Sequence, residues 1–158
     1  MIGVVGTGSM GDPIARRLLA SGYEVVVWNR TREKALPLAK EGARVAGDLE
    51  ELAKESELVL VVVSDDDASL SVLERMTSVK SGLDVVNHST VTPMLAEKAY
   101  DLCRSRGCKY LTLTVMGGPT EAERGELVGM AGGDRDILER WYRAIASYVK
   151  EVVYVGSA

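Results

Sequence analysis

The sequence predicts an α/β fold, a doubly wound and mostly parallel sheet with helices on both faces, and three observations carry that prediction. The chain opens on an apolar run, Ile2-Gly3-Val4-Val5, that leads into Gly6, Gly8 and Gly11 at G-x-G-x-x-G spacing. Helix-compatible and strand-compatible stretches then alternate with short connections. Leu58-Val59-Leu60-Val61-Val62-Val63 is uninterrupted and apolar, as expected of a strand buried on both faces beside the opening one.

The opening stretch reads as a strand, a tight turn and a helix starting near Ser9. Gly6 permits the sharp turn, Gly8 has no Cβ and so admits a pyrophosphate to the backbone, and Gly11 lets the helix lie close on the strand. The N–H groups of residues 8 to 11, Gly8, Ser9, Met10 and Gly11, would point at the phosphates, aided by the positive end of the helix dipole. Thr7 belongs to the same turn, and Pro13 falls in the first helical turn, where its missing N–H costs little. The alternative is a glycine turn with only a structural role.

Tyr23 to Trp28 is the next strand, ending in Asn29-Arg30-Thr31-Arg32. An NAD site usually places Asp or Glu at that strand end to accept the ribose hydroxyls. Asn29 offers no carboxylate to repel a 2′-phosphate, Arg30 and Arg32 can supply positive charge, and Thr31 adds a hydroxyl. NADP is therefore expected in preference to NAD. Two solvated arginines and a helix cap are the competing interpretation.

Bulk properties set the class. At 158 residues the chain is expected to be one domain, 1–158, with 46% hydrophobic and 27% charged residues. A net charge of −4 argues against nucleic-acid or membrane-surface partners. No apolar stretch approaches a membrane span, and a first residue already in a strand leaves no room for a signal peptide, so a cytoplasmic location is expected. Cys103, Cys108 and the single His88 assemble no zinc or redox set, and the cysteines are expected to be free thiols.

The remaining elements follow in order. Thr31 to Glu41 is a helix that Pro37 kinks or shortens, Ala43 to Ala46 a short strand, and Leu49 to Ser56 a helix. Val63 and Ser64, at the carboxyl end of the central apolar run, fall where ligands bind in doubly wound sheets and would line the cofactor through backbone groups. Asp65-Asp66-Asp67 reads as a helix-start charge cluster rather than a metal site. Leu70 to Met76 continues that helix, and Leu83 to Asn87 is the fifth strand, ending at His88-Ser89-Thr90. Thr92 caps a helix that has Pro93 at its first position and that Gly107 stops. Lys109 to Val115 is the sixth strand, giving the order 3-2-1-4-5-6, and Met116-Gly117-Gly118-Pro119 could expose backbone N–H groups to a small anion. Glu126 to Ala131 is a further strand, Gly132-Gly133 a turn, Asp134 to Tyr148 an amphipathic helix, and Val152 to Val155 a last strand.

Laid side by side, these stretches resemble the β-hydroxyacid dehydrogenase family, which includes 3-hydroxyisobutyrate dehydrogenase and is related to the NADP-binding domain of 6-phosphogluconate dehydrogenase. The resemblance covers the whole chain and rests on Ile2 to Gly11, Trp28-Asn29-Arg30-Thr31, Asn87-His88-Ser89-Thr90 with Pro93, and Gly117-Gly118 leading to Ala122, Gly125, Leu127, Met130 and Gly132-Gly133. It implies a Rossmann nicotinamide domain, with Ser89, Gly117 and Gly118 holding the substrate's hydroxyl and carboxylate and Thr90 near the nicotinamide ribose. It also implies reversible hydride transfer between the nicotinamide and a short hydroxyacid or semialdehyde.

Three positions depart from the family: Asn87 and Thr112 stand where carboxylates are usual, and Met116 where Ser often precedes the glycines. The lysine that family members use as proton donor or acceptor has no counterpart here. Lys80, Lys98 and Lys109 read as surface charges, and Ser89 beside His88 lacks a nucleophile elbow and a third partner. The chain is thus expected to be the cofactor half of an oxidoreductase, completed by a helical domain in cis or in trans, with a possible homodimer interface. A stand-alone NADP-binding module without chemistry of its own is the alternative. Without that helical domain, apolar surface near residues 150 to 158 is expected to be exposed.

Overall fold

The computed structural model describes residues 1–156. Its strands, β1 (Ile2–Val5), β2 (Val25–Trp28), β3 (Arg44–Val45), β4 (Leu58–Val61), β5 (Asp84–Asn87), β6 (Lys109–Met116), β7 (Leu127–Gly133) and β8 (Val149–Tyr154), form one sheet. The order is β3-β2-β1-β4-β5-β6-β7-β8, which is the predicted core order with two strands added. β1 to β6 are parallel, β7 runs antiparallel to β6, and β8 is parallel to β7.

The helices are α1 (Gly11–Ala20), α2 (Leu36–Lys40), α3 (Leu49–Glu55), α4 (Asp66–Thr77), α5 (Pro93–Ser105), α6 (Pro119–Arg124), α7 (Arg135–Arg140) and α8 (Tyr142–Ala146). Strand residues alternate between two cores, because successive side chains of a strand point to opposite faces. Val25, Val27, Leu58 and Leu60 share one core with Ile14 and Leu18 of α1. Val26, Val59 and Val61 share the other with Leu52 of α3, Leu73 of α4 and Ala99 of α5. All four residues of β4 are fully buried, as an apolar run without alternation requires.

Local signals place the helix ends. The Asp65 carboxylate accepts the Ala68 N–H (2.8 Å) and caps α4, while Asp66 accepts from the Thr92 N–H and hydroxyl (3.1 and 2.7 Å). Thr92 in turn caps α5 by accepting the Leu95 N–H. Two of the three consecutive aspartates are thus committed to helix starts.

Four segments differ from expectation. The helix expected over Thr31 to Glu41 is a 3₁₀ turn, Arg32–Lys34, followed by α2, because Pro37 has no N–H to donate and is placed in the first turn of a new helix. Gly132 and Gly133 are not a turn but the end of β7, paired with Thr112 and Leu111. The single helix expected over Asp134 to Tyr148 breaks at Trp141 into α7 and α8. There Trp141 Nε1 and Arg140 Nη1 both donate to the Asp84 carboxylate (2.8 and 2.6 Å), which is 3% exposed and requires such donors. α6 was not expected, although Pro119 in its first turn, Glu121 two residues later and the left-handed Gly125 at its end are recognisable helix signals.

At the far edge, Met130 and Val153 are register partners with roughly half their surface exposed, and Val155 is exposed just beyond β8. This is the apolar surface expected near the end of the chain. Ser157 and Ala158 lie outside the described residues.

Candidate functional site

Strand order reverses between β1 and β4, and the segments leaving the carboxyl ends of β1, β2 and β4 surround a cleft of about 930 Å³. Gly6, Gly8, Ser9, Met10, Gly11, Asn29, Arg30, Thr31, Val63 and Ser64 all line it. Thr7 and Thr90 do not line it: Thr7 is turned inward, 4% exposed, and Thr90 is on the surface beyond β5.

The glycine turn is shaped by close approach. Gly6 sits at φ +99°, and a Cβ there would run into the Val62 carbonyl oxygen; a Cβ on Gly11 would run into the carbonyl oxygen of Gly6. Gly8 faces open space. Among the described residues, the N–H groups of Gly8, Ser9, Met10 and Gly11 donate to nothing, and the buried Thr7 hydroxyl also has no partner. Orphan donors at a helix start, beside a position where a side chain would fill the cleft, fit the diphosphate of a dinucleotide.

Asn29 does more than leave out a carboxylate. Its Oδ1 accepts the Thr7 N–H (2.9 Å) and its Nδ2 donates to the Thr31 carbonyl (2.9 Å), tying the glycine turn to the end of β2. An Asp could accept the first bond but not donate the second. Trp28, Lys34 and Arg75 also line the cleft and escaped the sequence reading; for Lys34 the signal was its place one helical turn beyond Arg30 and Thr31. Arg75 left no local signal.

The substrate-side residues are placed differently from expectation. The Ser89 hydroxyl is not free: it accepts the Val63 N–H (2.9 Å), is oriented toward the Val61 carbonyl (3.4 Å), and Ser89 is 3% exposed. Its role here is to pair a backbone group where β4 ends and ladder partners run out. The Gly118 N–H is likewise taken, donating to Glu121 Oε1 (3.0 Å) at the start of α6. Gly117, at φ +126°, is exposed and its N–H has no partner among the described residues. Of the three groups expected to hold a substrate, only the Gly117 amide is available.

The two missing carboxylates prove to be one feature. Asn87 and Thr112 are register partners, and both donate to the buried Tyr110 hydroxyl (3.2 and 2.9 Å). The cluster is neutral throughout. Tyr110→Phe is expected to leave these two donors without their acceptor and to lower stability by about 1–2 kcal/mol in urea unfolding, with Thr112→Val in the same background costing little more, since the Thr112 hydroxyl has no other partner among the described residues.

His88 is not a partner for Ser89. Nδ1 faces the Leu113 carbonyl (2.9 Å), Nε2 faces the Tyr148 hydroxyl (2.7 Å), and burial pushes its pKa down to about 4. A neutral ring that donates through Nδ1 and accepts through Nε2 satisfies both contacts. Lys80 donates to the carbonyls of Lys54 and Ser56, Lys109 pairs with Asp136, and Lys98 is exposed. Both cysteines are free and buried, and burial raises the Cys103 thiol to about 12, which makes it inert. No helix among the described residues is long and apolar enough to cross a membrane.

A phosphate-ready glycine turn at the switch point of a doubly wound sheet defines a dinucleotide-binding α/β domain. Residues 1–156 match the family model described as the NAD binding domain of 6-phosphogluconate dehydrogenase, and the chain belongs to that family. It is 34% identical over 161 residues to the probable 3-hydroxyisobutyrate dehydrogenase-like 3 of Arabidopsis thaliana, covering 99% of this chain and 50% of that protein. Among solved structures, an imine reductase from Myxococcus stipitatus in complex with NADP+ superposes with a TM-score of 0.92 at 30% identity, over 99% of this chain and 55% of that one. The 3-hydroxyisobutyrate dehydrogenase of Mycobacterium tuberculosis superposes with a TM-score of 0.95 at 23% identity, over 99% and 54%, a likeness of fold. The chain spans about half the length of these relatives.

Proposed function

We propose that this chain is the NADP-binding domain of an oxidoreductase acting on a short hydroxyacid or semialdehyde. The observation that carries the cofactor choice is the end of β2, where Asn29 replaces an acid and both Arg30 and Lys34 line the cleft. A 2′-phosphate meets positive charge there and no carboxylate at the strand end. The amides of Gly8 to Gly11 hold the diphosphate and the backbone at Val63 and Ser64 borders the ribose; Thr90 is assigned to the nicotinamide end on the family resemblance alone, since it does not line the cleft. Bound in this way, the cofactor supplies hydride transfer to or from the substrate carbon. The Gly117 amide and the apolar Met116 face the substrate, with Ser89 and Gly118 as structural supports of that corner.

The proton donor or acceptor is assigned to a helical domain, in cis or in trans, since the one lysine lining the cleft among the described residues, Lys34, stands beside Arg30 past the end of β2 and is assigned to the 2′-phosphate. A second reading, reduction of a carbon–nitrogen double bond, is favoured by the 30% identity to the imine reductase. Assaying the completed enzyme with a 2-carbon or 3-carbon hydroxyacid and with a cyclic imine separates the two.

Titration of the 158-residue chain with NADPH and NADH tests the cofactor. NADPH is expected to bind at least about tenfold more tightly, and Arg30→Ala to weaken it by about 1 kcal/mol or more. Equal affinity for both cofactors would overturn the NADP assignment and leave the dinucleotide fold intact.

A further inference from the structure

Beside the main cleft, sharing Trp28, Asn29, Arg30 and Arg75 with it, lies a smaller pocket of about 320 Å³. Three guanidinium groups line it: Arg30 and Arg32 from the segment after β2, and Arg75 from the last turn of α4. Arg32 is partly engaged, its Nη1 donating to the Ala46 carbonyl (3.3 Å). Asp48 is the one carboxylate on the lining, and its Oδ1 is occupied in capping α3 through the Glu51 N–H (2.8 Å).

Arg75 is held in a way the other two are not. Its Nε and Nη2 donate to the two carboxylate oxygens of Glu50 (2.8 and 3.1 Å). Its guanidinium carbon stands 6.0 Å from the centre of the Trp28 ring. Nη1 donates to nothing among the described residues. Both partners are partly exposed, 46% and 31% at the side chain, so the pair adds little to stability. Its effect is on orientation. A two-point pair fixes the plane of the guanidinium, so its free edge meets a ligand with less entropy to lose than a solvated arginine would.

A small pocket with one indole wall and three arginines suits a phosphate monoester carried on an adenosine. We propose that Arg75 is a specificity-determining residue for NADP, its free Nη1 edge donating to the 2′-phosphate from α4 while Arg30 does so from the β2 turn. This rests on the NADP reading above. It extends that reading to a residue on a different element, outside the Asn29-Arg30-Thr31 stretch that signals it in sequence.

The test titrates the parent chain, Arg75→Met and Arg75→Lys with NADPH and NADH, and repeats the series with 2′-AMP and 5′-AMP. Arg75→Met keeps the aliphatic stem over Trp28 and removes the charge. It is expected to weaken NADPH and 2′-AMP about fivefold while NADH and 5′-AMP change less than about twofold. Arg75→Lys, which keeps the charge but loses the two-point pair with Glu50, is expected to fall between, and it carries the comparison if the Met variant folds poorly. Equal weakening of phosphorylated and unphosphorylated ligands would make Arg75 an adenine wall and overturn the proposal; so would no change in either. A parent chain without NADPH preference would overturn the NADP reading itself. A parent preference that survives both Arg75 substitutions would overturn only this inference.

Discussion

Gly8→Ala is expected to fold as the parent does and to lose cofactor binding, whereas Gly11→Ala is expected to be strongly destabilised and to bind the cofactor poorly as well. The two glycines are three residues apart in one turn, and their surroundings are opposite. A Cβ on Gly8 meets nothing within 4 Å, so the fold has no reason to resist it. That methyl would project into the space where a diphosphate approaches the N–H groups of Gly8 to Gly11, and affinity for NADPH is expected to fall at least about tenfold. A Cβ on Gly11 would run into the Gly6 carbonyl oxygen and push α1 off β1. Overpacking of this kind, with backbone on the receiving side, is expected to cost about 3 kcal/mol. In thermal melts that is a fall of about 6–12 °C for a domain of this size. Unchanged binding in Gly8→Ala would show that no phosphate lies against the turn.

Between about pH 6.5 and pH 5, above the range where the paired carboxylates Glu50, Glu51 and Asp136 begin to protonate, acid is expected to destabilise the protein through one residue. His88 is the single histidine of the chain and is 5% exposed, and its pKa is pushed down to about 4 by burial, partly offset by the Leu113 carbonyl. Unfolded, it titrates near 6.5. Its folded pKa is the lower one, so between these values the unfolded chain binds a proton that the folded chain refuses. Stability from this group is therefore full above about pH 6.5 and declines as pH falls, by about 1.4 kcal/mol per unit, until the folded ring also protonates near pH 4. The total is about 3 kcal/mol. Urea unfolding at pH 7, 6, 5 and 4.5 should show that slope, and His88→Gln should flatten it over pH 5 to 6.5 whatever its stability at pH 7. A slope that persists in His88→Gln would assign the acid sensitivity elsewhere. At low pH Nε2 could no longer accept from the Tyr148 hydroxyl, which would have to turn its proton away and accept from the imidazolium instead, so the cost of protonation is chiefly that of burying the charge.

The sequence was most legible where one short segment specifies its own conformation. The three glycines at the end of β1 predicted the turn that Gly6 makes at φ +99°, and the absence of an acid after β2 was visible as Asn29. The unbroken apolar run of β4 announced a strand covered on both faces, and Thr92-Pro93 announced the start of α5. These signals need only steric and hydrogen-bonding preferences within a few residues. They placed ten of the twelve expected cofactor residues around one cleft.

Tertiary structure decided which polar groups are already spoken for. Ser89 and Gly118 each carry a group suited to holding a substrate, yet Val63 claims the Ser89 hydroxyl and Glu121 the Gly118 amide. The break between α7 and α8 depends on Asp84, which lies in β5 and meets Trp141 only once the sheet is assembled. Asn87 and Thr112 read as two separate departures until register set both against Tyr110. Arg75 lines the cleft from α4 with no mark in its neighbouring residues. By itself, then, the sequence determined the fold class, the phosphate turn and the missing acid, because backbone geometry is a local property. The structure alone decided which donors and acceptors remain free, because a hydrogen bond belongs to two residues and folding chooses the second.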